Sequence, residues 1–296
     1  MSAQFESDPS ISDAADLRRR TFVALSVAAT ALPAAALPAG PAVIEKNVTI
    51  NTPDGVCDAA YFHPAAGKHA AVILWPDAFG LRPAMRDMGR RLAAAGYAVL
   101  VPNPFYRIGK GPFYETAANV DFKDKALFAK IGPLMGSVGA AGAAEKDAVE
   151  FVKFLDAQPE VDKGRKIGTQ GYCMGGALVL RTAAAVPERI GAGASFHGGG
   201  LVTDKPDSPY TLAPRIKAQL LIAIAGSDDA KQPDAKDKLR KAFDDAHVNA
   251  RVEVFAEKHG WCVPDMPQDD GAPIYNQADA ERAWTELLAL YKTALG

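Results

Sequence analysis

Residues 166–184 read KIGTQGYCMGGALVLRTAA. A short β-like run over 166–170 turns through Gly171-Tyr172-Cys173-Met174-Gly175-Gly176 and leaves as an Ala/Leu-rich helix. The turn has the form G-x-C-x-G-G, a nucleophile elbow with cysteine where serine is commoner. Such an elbow seats its nucleophile on a strained strand-to-helix turn. Side chains two positions before and two after would crowd it, and Gly171 and Gly175 meet that demand. The helix that follows turns unpaired N–H groups and its positive end toward the sulfur, which favours a thiolate and a nearby oxyanion. A glycine-rich turn around a buried, inert cysteine is the bland reading. Two glycines flanking one cysteine between strand and helix favour the elbow.

Around this stretch, apolar runs of strand length alternate with amphipathic helical ones. A hairpin is expected from 47–51 and 56–62 about the turn Thr52-Pro53-Asp54-Gly55. The run HAAVILW, 69–75, suits a strand buried on both faces. A helix over 83–95, closed by Gly96, leads to a strand over 97–101. Residues 108–142 are irregular, with a short helix near 122–130, and an insertion of that length covers or shapes a site. A helix over 143–158 precedes the elbow. Strands at 190–196, 220–225 and 250–255 and helices at 234–245 and 278–293 follow it. This alternation predicts an α/β fold: a mostly parallel β-sheet with helices on both faces and a single domain over 43–296. Its site lies at the strands' carboxyl ends.

The 296 residues, 48% of them hydrophobic, are enough for one sizeable core, and a net charge of −2 gives no basic field for nucleic acid. Three cysteines, Cys57, Cys173 and Cys262, make no disulfide framework; a single Cys57–Cys262 bridge stays open. No Cys/His cluster has metal-ligand spacing, and no cofactor is expected. Residues 1–39 read as an export signal or a disordered tail. Arg18-Arg19-Arg20-Thr21-Phe22 precedes an Ala-rich apolar run, with cleavage near Ala36 or Ala39. Arg19-Arg20-Thr21-Phe22 resembles the twin-arginine motif, which implies transient contact with that export machinery and a periplasmic destination; a cytoplasmic protein is the alternative. Pro33 and Pro38 interrupt the run, so stable membrane insertion is not expected.

A cysteine nucleophile needs a base and a group that orients the base, in the chain order nucleophile, acid, histidine. The acid should end a strand after the elbow, and in LLIAIAGSDD either Asp228 or Asp229 fits. His259 ends the strand over 250–255, whereas His247 sits in a polar connection and His63 and His69 precede the elbow. His197 also ends a strand and is expected to line the pocket. The oxyanion hole is expected from the backbone N–H of Met174 and one from the loop Pro76-Asp77-Ala78-Phe79-Gly80, with Ala78 as the candidate. Asp77 in that loop has two readings: a carboxylate near Cys173 that restrains the thiol, or a helix N-terminal Asp.

These residues resemble the dienelactone hydrolase family of the α/β-hydrolase fold, over residues 47–295. The resemblance implies a Cys-Asp-His triad carried by Cys173, Asp229 and His259, since the family's G-x-x-D falls on Gly226 to Asp229. It aligns Pro76–Gly80 with the family's H-E-x-F-G, where a Glu contacts the resting thiol and Asp77 now stands. It puts Ala78 on the oxyanion position and matches Arg107 to an arginine that binds the substrate carboxylate. A second such arginine follows the family's histidine; this chain has Trp261-Cys262-Val263-Pro264 there. Phe79, Tyr172, His197 and Trp261 complete the expected substrate-binding set. The implied activity is hydrolysis of a small ester or lactone through an acyl-enzyme, carboxymethylenebutenolidase being one such activity. A thioesterase or peptidase on the same triad, or a thiol redox or binding protein without turnover, are the alternatives.

Overall fold

The structure is a computed structural model and describes residues 41–296; the expected export signal lies outside them. Eight strands form one sheet in the order β1-β2-β4-β3-β5-β6-β7-β8. The hairpin is β1 (Val43–Thr52) and β2 (Gly55–Pro64), antiparallel to each other, and β2 is antiparallel to β4 (Ala98–Pro102). From β4 onward every pairing is parallel: β3 (Ala71–Trp75), β5 (Ile167–Tyr172), β6 (Ile190–Phe196), β7 (Gln219–Ala225) and β8 (Ala250–Phe255).

Side-chain alternation divides the core. In β3, Ala71, Ile73 and Trp75 face one layer; Val72 and Leu74 face the other. The first layer is covered by α3 (Ala143–Ala157), α4 (Met174–Ala185) and α6 (Ala235–Asp245), through Phe151, Leu178 and Phe243. The second is covered by α1 (Pro83–Ala94) and α7 (Gln277–Ala294), through Met85, Leu92, Leu287 and Tyr291. All five β3 residues are buried because both faces are covered, which is why the run carries no polar alternation. Between β3 and α4, Trp75 Nε1 donates to Thr182 Oγ1 at 3.0 Å.

Two segments differ from expectation. The helix in the insertion is α2 (Lys125–Gly139), starting later and running longer than 122–130. The Asp124 side chain accepts from the Ala126 N–H at 2.8 Å and sets its start, and Pro133 inside it does not end it. Between the strand expected at 220–225 and the helix expected at 234–245, a further short helix forms, α5 (Gly226–Lys231). Among the described residues no single helix is long and apolar enough to cross a membrane.

Candidate active site

The elbow forms where β5 ends at Tyr172 and α4 begins at Met174. Cys173 between them has φ 52° and ψ −115°, a backbone state that costs a non-glycine residue about 1–3 kcal/mol. The glycines are steric necessities. A Cβ on Gly171 would lie 2.2 Å from the Gly175 carbonyl oxygen, and one on Gly175 would lie 2.5 Å from that of Trp75. The surrounding structure holds the strained residue in place. The Cys173 N–H donates to the Phe196 carbonyl and to His197 Nδ1, each at 3.1 Å, while its carbonyl accepts from the Gly199 N–H at 3.0 Å.

His197 does not line the pocket. It is fully buried beneath Cys173, itself at φ 40°, with its ring edge-on to His259 (centroids 4.7 Å apart) and to Trp261 (5.2 Å). Accepting at Nδ1 places its proton on Nε2. Burial, and then the charge on His259, push its basicity well below that of free histidine, so it stays neutral.

His259 Nδ1 donates to Asp228 Oδ2 at 2.5 Å, and the His259 backbone N–H donates to Ser227 Oγ at 2.9 Å. Both contacts come from α5, which ties the histidine loop to the end of β7. Burial lowers the imidazole pKa, but attraction to the Cys173 sulfur and the bond to Asp228 outweigh it and raise it to about 10. The imidazole therefore holds a proton beside the sulfur. Asp229 makes a different contact: Lys236 Nζ donates to its two oxygens at 2.7 and 2.9 Å. The expected Asp229 is thus corrected to Asp228 as the carboxylate on His259. Successive residues of a helix point about 100° apart, so only one can face the imidazole.

The loop after β3 brings Ala78 to the cavity that holds Cys173. Met174 is the first residue of α4, where a backbone N–H has no partner within the helix. Asp77, expected near the thiol, is turned away into the core. Its Oδ1 and Oδ2 accept from the two terminal nitrogens of Arg82 at 2.7 and 3.0 Å, and its Oδ1 also accepts from the Phe79 N–H at 2.9 Å. Arg82 is fully buried and reaches Asp265 as well, at 2.8 and 2.7 Å; Asp265 in turn accepts from the Ala117 N–H at 3.0 Å. One guanidinium joins the loop after β3, the segment after His259 and the insertion. A buried carboxylate needs a paired cation, and Arg82 rather than Cys173 meets that need.

Cys173, His259, Asp228, Ala78 and Phe79 share a cavity of about 630 Å³. Its far wall is Phe128, Ile131 and Met135 of α2, with Phe122 just before it. The sequence pointed to the insertion but not to these side chains; apolar residues at 128, 131 and 135, spaced as one helical face, were the available signal. Arg107 is outside this cavity. Its two terminal nitrogens donate to Asp147 at 2.8 and 2.7 Å, and one of them to Asp54 at 2.9 Å, so it ties the hairpin turn to α3 instead of meeting substrate. Tyr172 lies outside this cavity, stacked on Phe196 (centroids 5.3 Å apart), and its oxygen accepts from Gln170 Nε2 at 2.8 Å. Trp261 is wholly buried and stacks on Phe255 at 4.9 Å. Cys57 and Cys262 are both free thiols. Among the described residues no group of three His, Cys, Asp or Glu side chains could hold a metal ion.

The model of the dienelactone hydrolase family matches residues 57–295. A candidate carboxymethylenebutenolidase of Methylorubrum extorquens is 27% identical over 288 residues, 92% of this chain and 91% of that protein. A carboxymethylenebutenolidase of Rhodococcus opacus is 28% identical over 148 residues, 49% of this chain and 52% of that one. Among solved structures, m3DLH superposes with a TM-score of 0.71 at 24% identity, covering 86% of this chain and all of that chain. A dienelactone hydrolase-like promiscuous phosphotriesterase from metagenomic libraries gives 0.70 at 24% identity with the same coverage, 86% and 100%. At these identities the solved structures speak for the fold.

Proposed function

The chain belongs to the dienelactone hydrolase family, and from that premise we propose that it hydrolyses a small ester or lactone through a covalent acyl-enzyme on Cys173. The observation that carries this reading is the 2.5 Å bond from His259 to Asp228 on the cavity that also holds the strained Cys173. His259 already holds the proton that the thiol gives up, which leaves the sulfur free to attack. Asp228 fixes the ring so that Nδ1 donates and Nε2 is left for the reaction. The sulfur attacks the carbonyl carbon, and the oxyanion is received by the N–H groups of Met174 and Ala78. As the C–O bond breaks, His259 returns its proton to the leaving oxygen. Water, deprotonated by His259, then attacks the thioester; the acid leaves and the thiol is restored. His197 supports this from below as a positioning residue, since it accepts from the nucleophile's own N–H.

The test is turnover of p-nitrophenyl acetate and of the carboxylated lactone named by the relatives, by the native chain and by Cys173→Ala and His259→Ala. Turnover lost in both variants is expected; activity that survives Cys173→Ala would contradict the reading. We further propose that residues 1–39 carry the chain through the twin-arginine machinery to the periplasm, on the motif Arg19-Arg20-Thr21-Phe22. Replacing Arg19 and Arg20 with Lys should leave the protein in the cytoplasm, and periplasmic protein from that variant would contradict export by this route.

A further inference from the structure

The cavity wall facing Cys173 is apolar. Phe122 and Phe128 are 40% and 54% exposed, two of the five large apolar side chains left exposed among the described residues, and both line this cavity. Ile131 and Met135 continue the wall along α2, and Met266 and Ile274 close it from the segment after His259. Apolar surface gathered in this way at a reactive thiol is surface that a bound molecule would cover.

Two lysines stand at the cavity, Lys258 in an ion pair and Lys231 on an exposed side chain. Lys258 Nζ donates to Asp269 Oδ2 at 2.7 Å, and Lys231 Nζ lies 3.9 Å from Asp228 Oδ1. Arg107 is clamped outside by Asp54 and Asp147. Arg82 is sealed between Asp77 and Asp265. No guanidinium lines the cavity. A substrate carboxylate would displace Asp269 from Lys258, crowd the Asp228 carboxylate to reach Lys231, or be desolvated against phenylalanine and methionine side chains, and each is unfavourable.

We propose, resting on the acyl-transfer reading of Cys173, that the substrate is an uncharged ester whose bulky apolar moiety packs against Phe79, Phe128 and Met135, and that a carboxylated lactone is a poor substrate. The wall acts as a hydrophobic selector. Transition-state binding then grows with the apolar area covered, while the polar chemistry stays confined to Cys173, His259, Asp228 and the two N–H groups.

The experiment compares kcat/KM of the native chain on p-nitrophenyl acetate, butyrate and hexanoate and on cis-dienelactone. Acetate to hexanoate adds four methylenes; half-buried, each is worth about twofold, so a rise of about 16-fold is expected. Dienelactone turnover is expected below that of hexanoate, and Phe128→Ala and Met135→Ala should each lower the hexanoate-to-acetate ratio. A ratio near one in the native chain would overturn the proposal. So would dienelactone turnover that exceeds hexanoate turnover and collapses in Lys258→Ala. If that dienelactone turnover were also lost in Cys173→Ala, only the substrate class would fall and the acyl-transfer reading would stand. No turnover of any of the four would overturn both.

Discussion

Replacing Asp228 with Asn, beside the same change at Asp229, separates two neighbours that differ only in direction. Asp228 accepts from His259 Nδ1 at 2.5 Å, a bond to a charged partner of the kind worth about 1.5–3 kcal/mol net. At about 1.4 kcal/mol per decade this alone is about 10- to 150-fold in rate. The amide also can turn its NH2 group to Nδ1 and favour the wrong tautomer, so kcat/KM should fall by at least about 10²-fold. Asp229 holds only Lys236, a partly exposed pair worth about 0–1 kcal/mol, so Asp229→Asn should keep kcat/KM within about threefold. The assay is initial rates from pH 6 to 11. In the proposed mechanism the imidazolium returns a proton to the leaving oxygen, and its pKa is raised to about 10, so the native rate should fall on the alkaline side near that value. In Asp228→Asn that limb should move to lower pH, because one of the two attractions that raise the pKa is gone. Linkage has the same sign. A pKa raised on folding makes a contribution to stability that is complete below the unfolded value of about 6.5 and is lost as pH climbs toward 10. Loss of activity in Asp229→Asn with Asp228→Asn active would refute the assignment.

Three more perturbations test the supports of the site. Gly175→Ala puts a Cβ 2.5 Å from the Trp75 carbonyl oxygen, which is backbone and cannot yield cheaply; urea denaturation should show a loss of about 3 kcal/mol or more, or no folded protein. Arg82→Met leaves Asp77 and Asp265 without their cation and should cost about 3–5 kcal/mol at pH 7. The deficit should shrink as pH falls and the stranded carboxylates protonate, and a cost below about 1 kcal/mol would deny the role of the clamp. Arg107→Ala should destabilise by about 2–4 kcal/mol, because Asp147 is buried, yet leave KM for a neutral ester within about twofold. A large rise in KM without loss of stability would restore Arg107 as a substrate ligand.

What could be read from the residues is what local sterics determine. Gly171 and Gly175 permit one kind of turn around Cys173, and the burial of Ala71–Trp75 on both faces allows one kind of strand. The His259 position follows from the end of β8. The rest depends on directions that spacing alone does not encode. Asp228 and Asp229 diverge because the turn after β7 is helical. Asp77 finds Arg82 five residues later and Asp265 far along the chain, a pairing visible only in three dimensions. Arg107 is captured by Asp54 and Asp147, which lie far from it in the sequence. Tyr172 is the last residue of β5, and its ring stacks on Phe196 instead of turning with Cys173 into the cavity.

The most direct measurement is mass spectrometry of the native chain quenched in acid during turnover of a p-nitrophenyl ester. The expected result is one acyl group on the peptide that contains Cys173, with Cys57 and Cys262 unmodified and no adduct in Cys173→Ala. Ester turnover with no acyl mass on Cys173 in either steady-state or rapidly quenched samples, and persisting in Cys173→Ala, would contradict covalent catalysis at the elbow.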